Sequence, residues 1–333
     1  MRRGSLPEKI RVSIGSAIVL GLTKGIMNAE PKTTYLLTYR PEKCSANCGF
    51  CPQARMSKSR ADMLSRVTWP PFPTEQVISK IGYGVKTGST KRVCIQALNY
   101  PTVFGDILNL TTEILSHVNV PISVSCQPIN RGKMEKLREA GIDRISIPLD
   151  AATEEIFDRV KGRLAGGSYV WKKQREALEE AVQIFGRGFV STHLIVGLGE
   201  EEREMVQTIQ WCVDLGAYPG LFSFTSIPGT ALENHPQLSL RCYRRIQLAH
   251  YLITHGKTRY ESMSFGEDGR IVDFGISKEL LRRVIRTGSP FVTSGCPNCN
   301  RPYYNERPGG PIYNYPRQPS PEEIAEIEEK IQM

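Results

Sequence analysis

Short runs rich in β-branched and apolar residues recur along the chain at 34–39, 92–98, 122–127, 144–150, 189–197, 220–228, 261–265 and 290–296. Between them, apolar positions repeat at helical spacing over 74–87, 104–118, 131–140, 170–186, 200–215, 238–256 and 278–287. Runs of the first kind predict strands and stretches of the second kind predict helices. Local punctuation agrees: "PTEQ" from Pro73 opens one helix and Gly141 closes another. Eight strands alternating with helices predict parallel pairing through crossovers. At this length the simplest closed form is an α/β fold, a (β/α)8 TIM-type barrel, with its site at the C-terminal ends of the strands. Three regions follow: an N-terminal helical segment at 1–30, the barrel at 31–300, and a Pro-, Gly- and Tyr-rich tail at 301–333 packed on the barrel. Within the first, residues 7–27 predict an amphipathic helix; within the last, 321–331 predict a short acidic helix.

Composition adds two constraints. The chain has 333 residues, 40% hydrophobic and 23% charged, as in soluble globular proteins. The apolar run at 16–22, near Arg2 and Arg3, is too short to span a bilayer and lacks a small-residue cleavage pattern. The expectation is a cytoplasmic protein with no membrane or nucleic-acid partner. Nine cysteines then point to metal or redox chemistry rather than to a disulfide framework. The net charge of +9 suits an acidic partner, although thermophilic chains also look like this.

The densest group of thiols is "CSANCGFC", with Cys44, Cys48 and Cys51 just after the first predicted barrel strand. Thiolates are the natural ligands of iron–sulfur clusters, and three of them leave one corner of a [4Fe–4S] cube open. Zinc is the alternative, but it would need a fourth Cys or His nearby, and none lies within the next forty residues.

This C-x3-C-x-aromatic-C motif resembles that of the radical S-adenosylmethionine (SAM) enzymes, and the resemblance covers roughly residues 30 to 300. It implies a [4Fe–4S] cluster on Cys44, Cys48 and Cys51 whose open iron chelates SAM. One electron then cleaves SAM, and the resulting 5′-deoxyadenosyl radical takes hydrogen from unactivated carbon. Phe50 would lie against the adenine. "IVGLGE" resembles the family's glycine motif, with Gly197 and Gly199 admitting the nucleoside and Glu200 starting the next helix. Gln96 and Asn99 fall where the family holds the SAM amino group. Asp150 would bind the SAM ribose or substrate, or merely cap its loop. His193 would contact SAM or substrate, or serve as a hydrogen-bonded core residue.

Within the superfamily the chain is most similar to the biotin-synthase-like branch, through "CGFCPQA" and "LREAGIDRISIPLDAAT". Cys94 and Cys126 stand where that branch places ligands of a second cluster; alternatively they are small core residues. Some positions depart from the branch. Ser191 replaces its third auxiliary cysteine, Ser146 and Pro148 replace asparagines that contact dethiobiotin, and "ESMSF" offers no arginine ligand. "SGCPNC" adds Cys296 and Cys299, so that Cys94, Cys126, Cys296 and Cys299 would complete a four-thiolate auxiliary [4Fe–4S] site. A separate zinc knuckle in the tail is the competing reading. Cys212 and Cys242 fall in helical patterns and read as packing residues, and 172–180 as a solvated helix face.

Two clusters in such a barrel imply sulfur insertion. The "CPNCNRPYYNERPGG" tail resembles the two-component lipoyl synthases of archaea. That resemblance implies an octanoylated lipoyl-carrier domain as substrate, the auxiliary cluster as sulfur donor, a paralogous radical SAM partner and an electron donor such as ferredoxin. Biotin synthase, or another enzyme of its branch, is the alternative. A non-enzymatic iron–sulfur or zinc barrel is the third reading, which the glycine motif and Phe50 oppose.

Overall fold

The computed structural model describes residues 5–307 and 309–331; Arg2 and Arg3 lie outside them. Six parallel strands form the wall of a partial TIM-type barrel. They are β2 (Thr33–Thr38), β4 (Arg92–Gln96), β5 (Ile122–Ser125), β6 (Ile142–Ser146), β7 (Val190–Val196) and β8 (Ala217–Ser223). Two further strands, β1 (Lys9–Val12) and β3 (Pro71–Pro73), bring the sheet to eight, in the order β8-β7-β6-β5-β4-β2-β1-β3. Both pair antiparallel, β1 lying between β2 and β3. The crossovers are α2 (Thr74–Thr87), α3 (Val103–His117), α4 (Arg131–Glu139), α5 (Glu154–Val160) with α6 (Trp171–Phe185), and α7 (Glu202–Leu215).

The α/β barrel class therefore holds, with three local differences from the sequence reading. First, residues 7–27 form β1 and the short helix α1 (Ile14–Val19), not one long helix. Ile10, Arg11 and Val12 are all buried, because strands flank them on both sides. Such pairing overrides a weak helical pattern. Second, of 261–265 only Ser264–Phe265 is extended, in a separate hairpin with Ile271–Asp273. Third, 290–296 does not join the sheet. Ser289–Phe291 makes a 3-10 turn and Val292 bridges only to Tyr315. Pro290 and Pro297 remove backbone donors that a central strand would need.

The C-terminal segment nevertheless reaches the first barrel strand. Thr33 Oγ1 donates to Asn298 O at 3.0 Å, Lys32 N to Asn300 Oδ1 at 3.0 Å, and Leu221 N to Ser294 Oγ at 2.8 Å. Residues 292–316 thus form a strap across the gap between β8 and β2. Helix α8 (Leu240–Thr254) anchors the strap's far end: Arg244, 1% exposed, donates to the carbonyls of Ile312 and Tyr313. The acidic helix α9 (Pro321–Ile331) follows.

Candidate active site

One cavity of about 240 Å³ runs inside the barrel, and both groups of cysteines line it. Alternation along the strands decides which side chains face inward. At one level stand Tyr35, Cys94, Ser123 and Arg144, which are register neighbours on β2, β4, β5 and β6. At the next level stand Leu37, Gln96, Ser125, Ser146 and Ser191.

The Cys44–Cys51 loop leaves β2 and is held by its own backbone. Cys44 N donates to Gln53 O, Cys51 N to Cys48 O and Gly49 N to Val160 O, at 3.0, 3.0 and 2.7 Å. Lys43 Nζ bridges the carbonyls of Pro52, Ser57 and Ser59. Cys44 Sγ accepts N–H groups from Asn99 at 3.0 Å and Ala46 at 3.4 Å. All nine cysteines are free. Burial pushes the Cys48 thiol well above its usual range and Cys51 up to about 12. A free thiolate is therefore unfavourable at these sites and would need a bound cation to compensate it. Among the described residues no three Cys, His, Asp or Glu side chains converge on one metal-sized point. Three cysteines on one cavity wall are a donor set that suits an iron–sulfur cluster.

Phe50 lines the cavity and packs against Phe157 and Leu198. Gln96, Asp150 and His193 also line it. The His193 ring lies against that of Phe222, centroids 4.9 Å apart and tilted by 59°, and burial lowers its pKa to about 4, so the ring is neutral. Asp150 takes a positive φ of 69° after β6, and its Oδ2 accepts from Lys161 Nζ at 2.7 Å. Lys161 is fully buried and also donates to Pro148 O. Its partner is a carboxylate eleven residues away, and nothing in the local sequence marks the pair.

The glycine motif stands at the end of β7; its Ile195 lines the cavity, and Gly197, Gly199 and Glu200 do not. Glu200 does not start the next helix; α7 begins at Glu202, with Glu201 as its cap. Instead Glu200 accepts the N–H groups of Gly197 at 2.6 Å and Leu198 at 2.9 Å. Gly197 and Gly199 have φ of 104° and 112°, a region L side chains rarely adopt. Glu200 thus fixes a turn that only glycine adopts without strain.

The second group of thiols lies at the strap. Tyr35 Oη is 3.3 Å from Cys299 Sγ, and Ser123 Oγ is 3.7 Å from Cys296 Sγ. Burial, then the nearby Cys296 and Cys299 sulfurs, push the Cys94 thiol up. The Arg301 guanidinium acts in the other direction on Cys94 and Cys299. Arg301 is held over the Phe222 ring at 3.9 Å. Cys126 lies three residues beyond Ser123, the residue of β5 level with Cys94; it is 4% exposed and belongs to the apolar cluster that holds Ile122, Val124 and Ile145. So the strap and β4 bring together Cys94, Cys296 and Cys299, and Cys126 lines another part of the wall. Cys212 is buried in α7, as expected of a packing residue. Sequence reasoning missed Lys161, Arg301, Tyr35 and Tyr304, which all face or flank the site.

The chain matches the family model of the radical SAM superfamily over residues 39–212, just over half its length. It is 27% identical to biotin synthase of Hydrogenobaculum sp. (strain Y04AAS1) over 258 residues, covering 76% of this chain and 73% of that enzyme. It is 23% identical to biotin synthase of Bordetella avium (strain 197N), covering 79% and 80%. Its shape is similar to the FeFe-hydrogenase maturase HydG from Carboxydothermus hydrogenoformans, with a TM-score of 0.53 at 15% identity. That likeness covers 73% of this chain and 56% of the maturase, and concerns the fold alone. Among the described residues no helix is long and apolar enough to cross a membrane.

Proposed function

The chain belongs to the radical SAM superfamily, and from that membership we propose that it inserts sulfur into an unactivated carbon chain. The observation that carries the proposal is the second thiol set, Cys94 with Cys296 and Cys299, facing the cavity that Cys44, Cys48 and Cys51 also line. Membership implies a [4Fe–4S] cluster and SAM at the first set; when bound they supply a radical that removes hydrogen from carbon. An auxiliary iron–sulfur cluster at the second set would be the sulfur source. The relatives named biotin synthase support sulfur insertion and give dethiobiotin the wider support as substrate.

A saturated acyl chain on a carrier lysine is a second reading, favoured by one feature of the wall. Pro148 has no N–H, and its carbonyl is already taken by Lys161 Nζ and Gln174 Nε2, each at 2.5 Å. Among the described residues the buried Ser146 hydroxyl beside it lacks a hydrogen-bond partner. A urea ring there would find that one hydroxyl and nothing at Pro148, so part of its polar set would go unmet, at a cost of about 1–3 kcal/mol for each group; methylenes would leave the Ser146 hydroxyl alone unmet. On this reading the chain acts in the cytoplasm on an octanoylated lipoyl-carrier domain. A paralogous radical SAM protein and a ferredoxin-type donor are the proposed partners.

The test is anaerobic reconstitution with SAM and reductant, offering dethiobiotin and an octanoyl-lysyl peptide in parallel. Mass spectrometry should find sulfur in one product. Cleavage of SAM with sulfur in neither would overturn the proposal.

A further inference from the structure

The loops at 55–60, 162–168 and 226–233 come after β2, β6 with α5, and β8, which puts them at the C-terminal rim of the barrel; the first and last follow directly on the cavity-lining Ala54 and Thr225, and Arg307 comes two residues after the cavity-lining Asn305. These loops are tied into one surface. Asn47 joins two of them, its Nδ2 donating to Ala165 O and its Oδ1 accepting from Met56 N. Lys58 N donates to Gly229 O, and Arg307 Nη2 to Ser226 Oγ. Arg55, Lys58, Arg163 and Arg307 lie on this rim with Arg66 near Arg307, and none forms an ion pair among the described residues. Of the nearby carboxylates, Asp62 pairs with Arg60, while Glu233 and Asp158 accept the backbone N–H groups of Gly229 and Arg163 and keep their charge, so that cations remain in excess. Two large apolar side chains, Met56 and Leu164, stand among these cations, 73% and 65% exposed.

Unpaired cations around exposed apolar anchors have the chemistry of a protein-docking surface. A small free substrate would need neither the anchors nor a ring of charge wider than itself. We propose that this rim docks an acidic protein domain that presents its reacting chain on a flexible side chain, so that the chain enters the cavity between Met56 and Leu164. This rests on the carrier-bound reading above and assigns it a surface.

The probe is an acidic lipoyl-carrier domain without its acyl group, titrated by fluorescence anisotropy against the reconstituted full chain. Binding should weaken at least about tenfold in a Lys58→Glu/Arg163→Glu/Arg307→Glu variant, and the wild type should lose affinity as salt rises. Reductive SAM cleavage by the variant should be unchanged, which reports that the fold and the radical site are intact. Binding lost in the variant supports the surface whether or not sulfur is later found in the octanoylated domain, so the surface and the reaction are judged separately. Equal binding by both proteins, or none by the wild type, overturns the proposal.

Discussion

The phenol of Tyr35 touches the thiol of Cys299 at 3.3 Å across a sequence separation of 264 residues. The first barrel strand and the C-terminal strap thereby build one wall of the site. Arg301 completes the contact, its backbone N–H donating to Tyr35 Oη at 3.1 Å.

The two thiol groups should separate by mutation. Cys48→Ala should abolish reductive SAM cleavage, read as 5′-deoxyadenosine. Cys94→Ala or Cys299→Ala should leave that cleavage in place and end sulfur insertion. Reconstituted wild type should hold about eight irons per chain and either of the latter variants about four. Cys126→Ala should keep the full complement, because Cys126 stands three residues beyond the level of Cys94. Loss of iron in Cys126→Ala would return it to the ligand set.

Lys161 is a fully buried cation whose charge is met by Asp150. Lys161→Met should destabilise the protein by about 3–5 kcal/mol, since it strands a carboxylate in the interior. Adding Asp150→Asn should recover much of the loss. Chemical denaturation of the two variants provides the check, and a single variant as stable as wild type would contradict it.

Two glycines should respond in opposite ways. A Cβ on Gly197 would sit 2.9 Å from Leu238 Cβ at a φ of 104°, so Gly197→Ala should cost about 1–3 kcal/mol. Gly82 lies inside α2 with nothing within 4 Å of its Cβ position. Gly82→Ala should instead stabilise by about 0.5–1 kcal/mol. Melting temperatures moving in opposite directions are the expected result.

Acid sensitivity should come partly from two imidazoles. Burial holds His193 and His250 at about 4, against an ordinary 6.5, and His250 Nε2 donates to Pro219 O at 2.7 Å. Between those values the unfolded chain binds protons that the folded chain refuses. Stability should therefore be complete above about pH 6.5 and fall as pH drops toward about 4. His250→Gln should flatten this slope. A slope that is unchanged in the variant would assign the acid loss elsewhere.

Local features of the site were legible in the sequence; those made by long-range contact were not. Cys44, Cys48 and Cys51 announce themselves by spacing alone. The strand–helix alternation exposed the barrel wall because burial on one face leaves a periodic trace. Lys161 gave no such signal: its position after α5 looks like any polar helix end until the turn at Asp150 brings the carboxylate to it. Arg301 and Tyr304 sit in a tail with no periodicity, and their roles exist only through Phe222 and Tyr35. Ile10 and Val12 misled for a related reason, since strands on either side decide their conformation.

The strap also sets an order of assembly during synthesis. The radical-cluster loop closes early through Cys44 N on Gln53 O and Cys51 N on Cys48 O, and its later backbone ties include Gly49 N to Val160 O and Leu232 N to Gly49 O. Cys296 and Cys299 come well after the last strand of the sheet, which ends at Ser223, and the Arg244 anchor waits for Ile312 and Tyr313 still further on. A nascent chain can thus form its eight-stranded sheet before Cys296 and Cys299 are made to join Cys94. On the proposed function, a chain lacking the strap would keep Cys44, Cys48 and Cys51 and lose two of the three thiols of its sulfur centre.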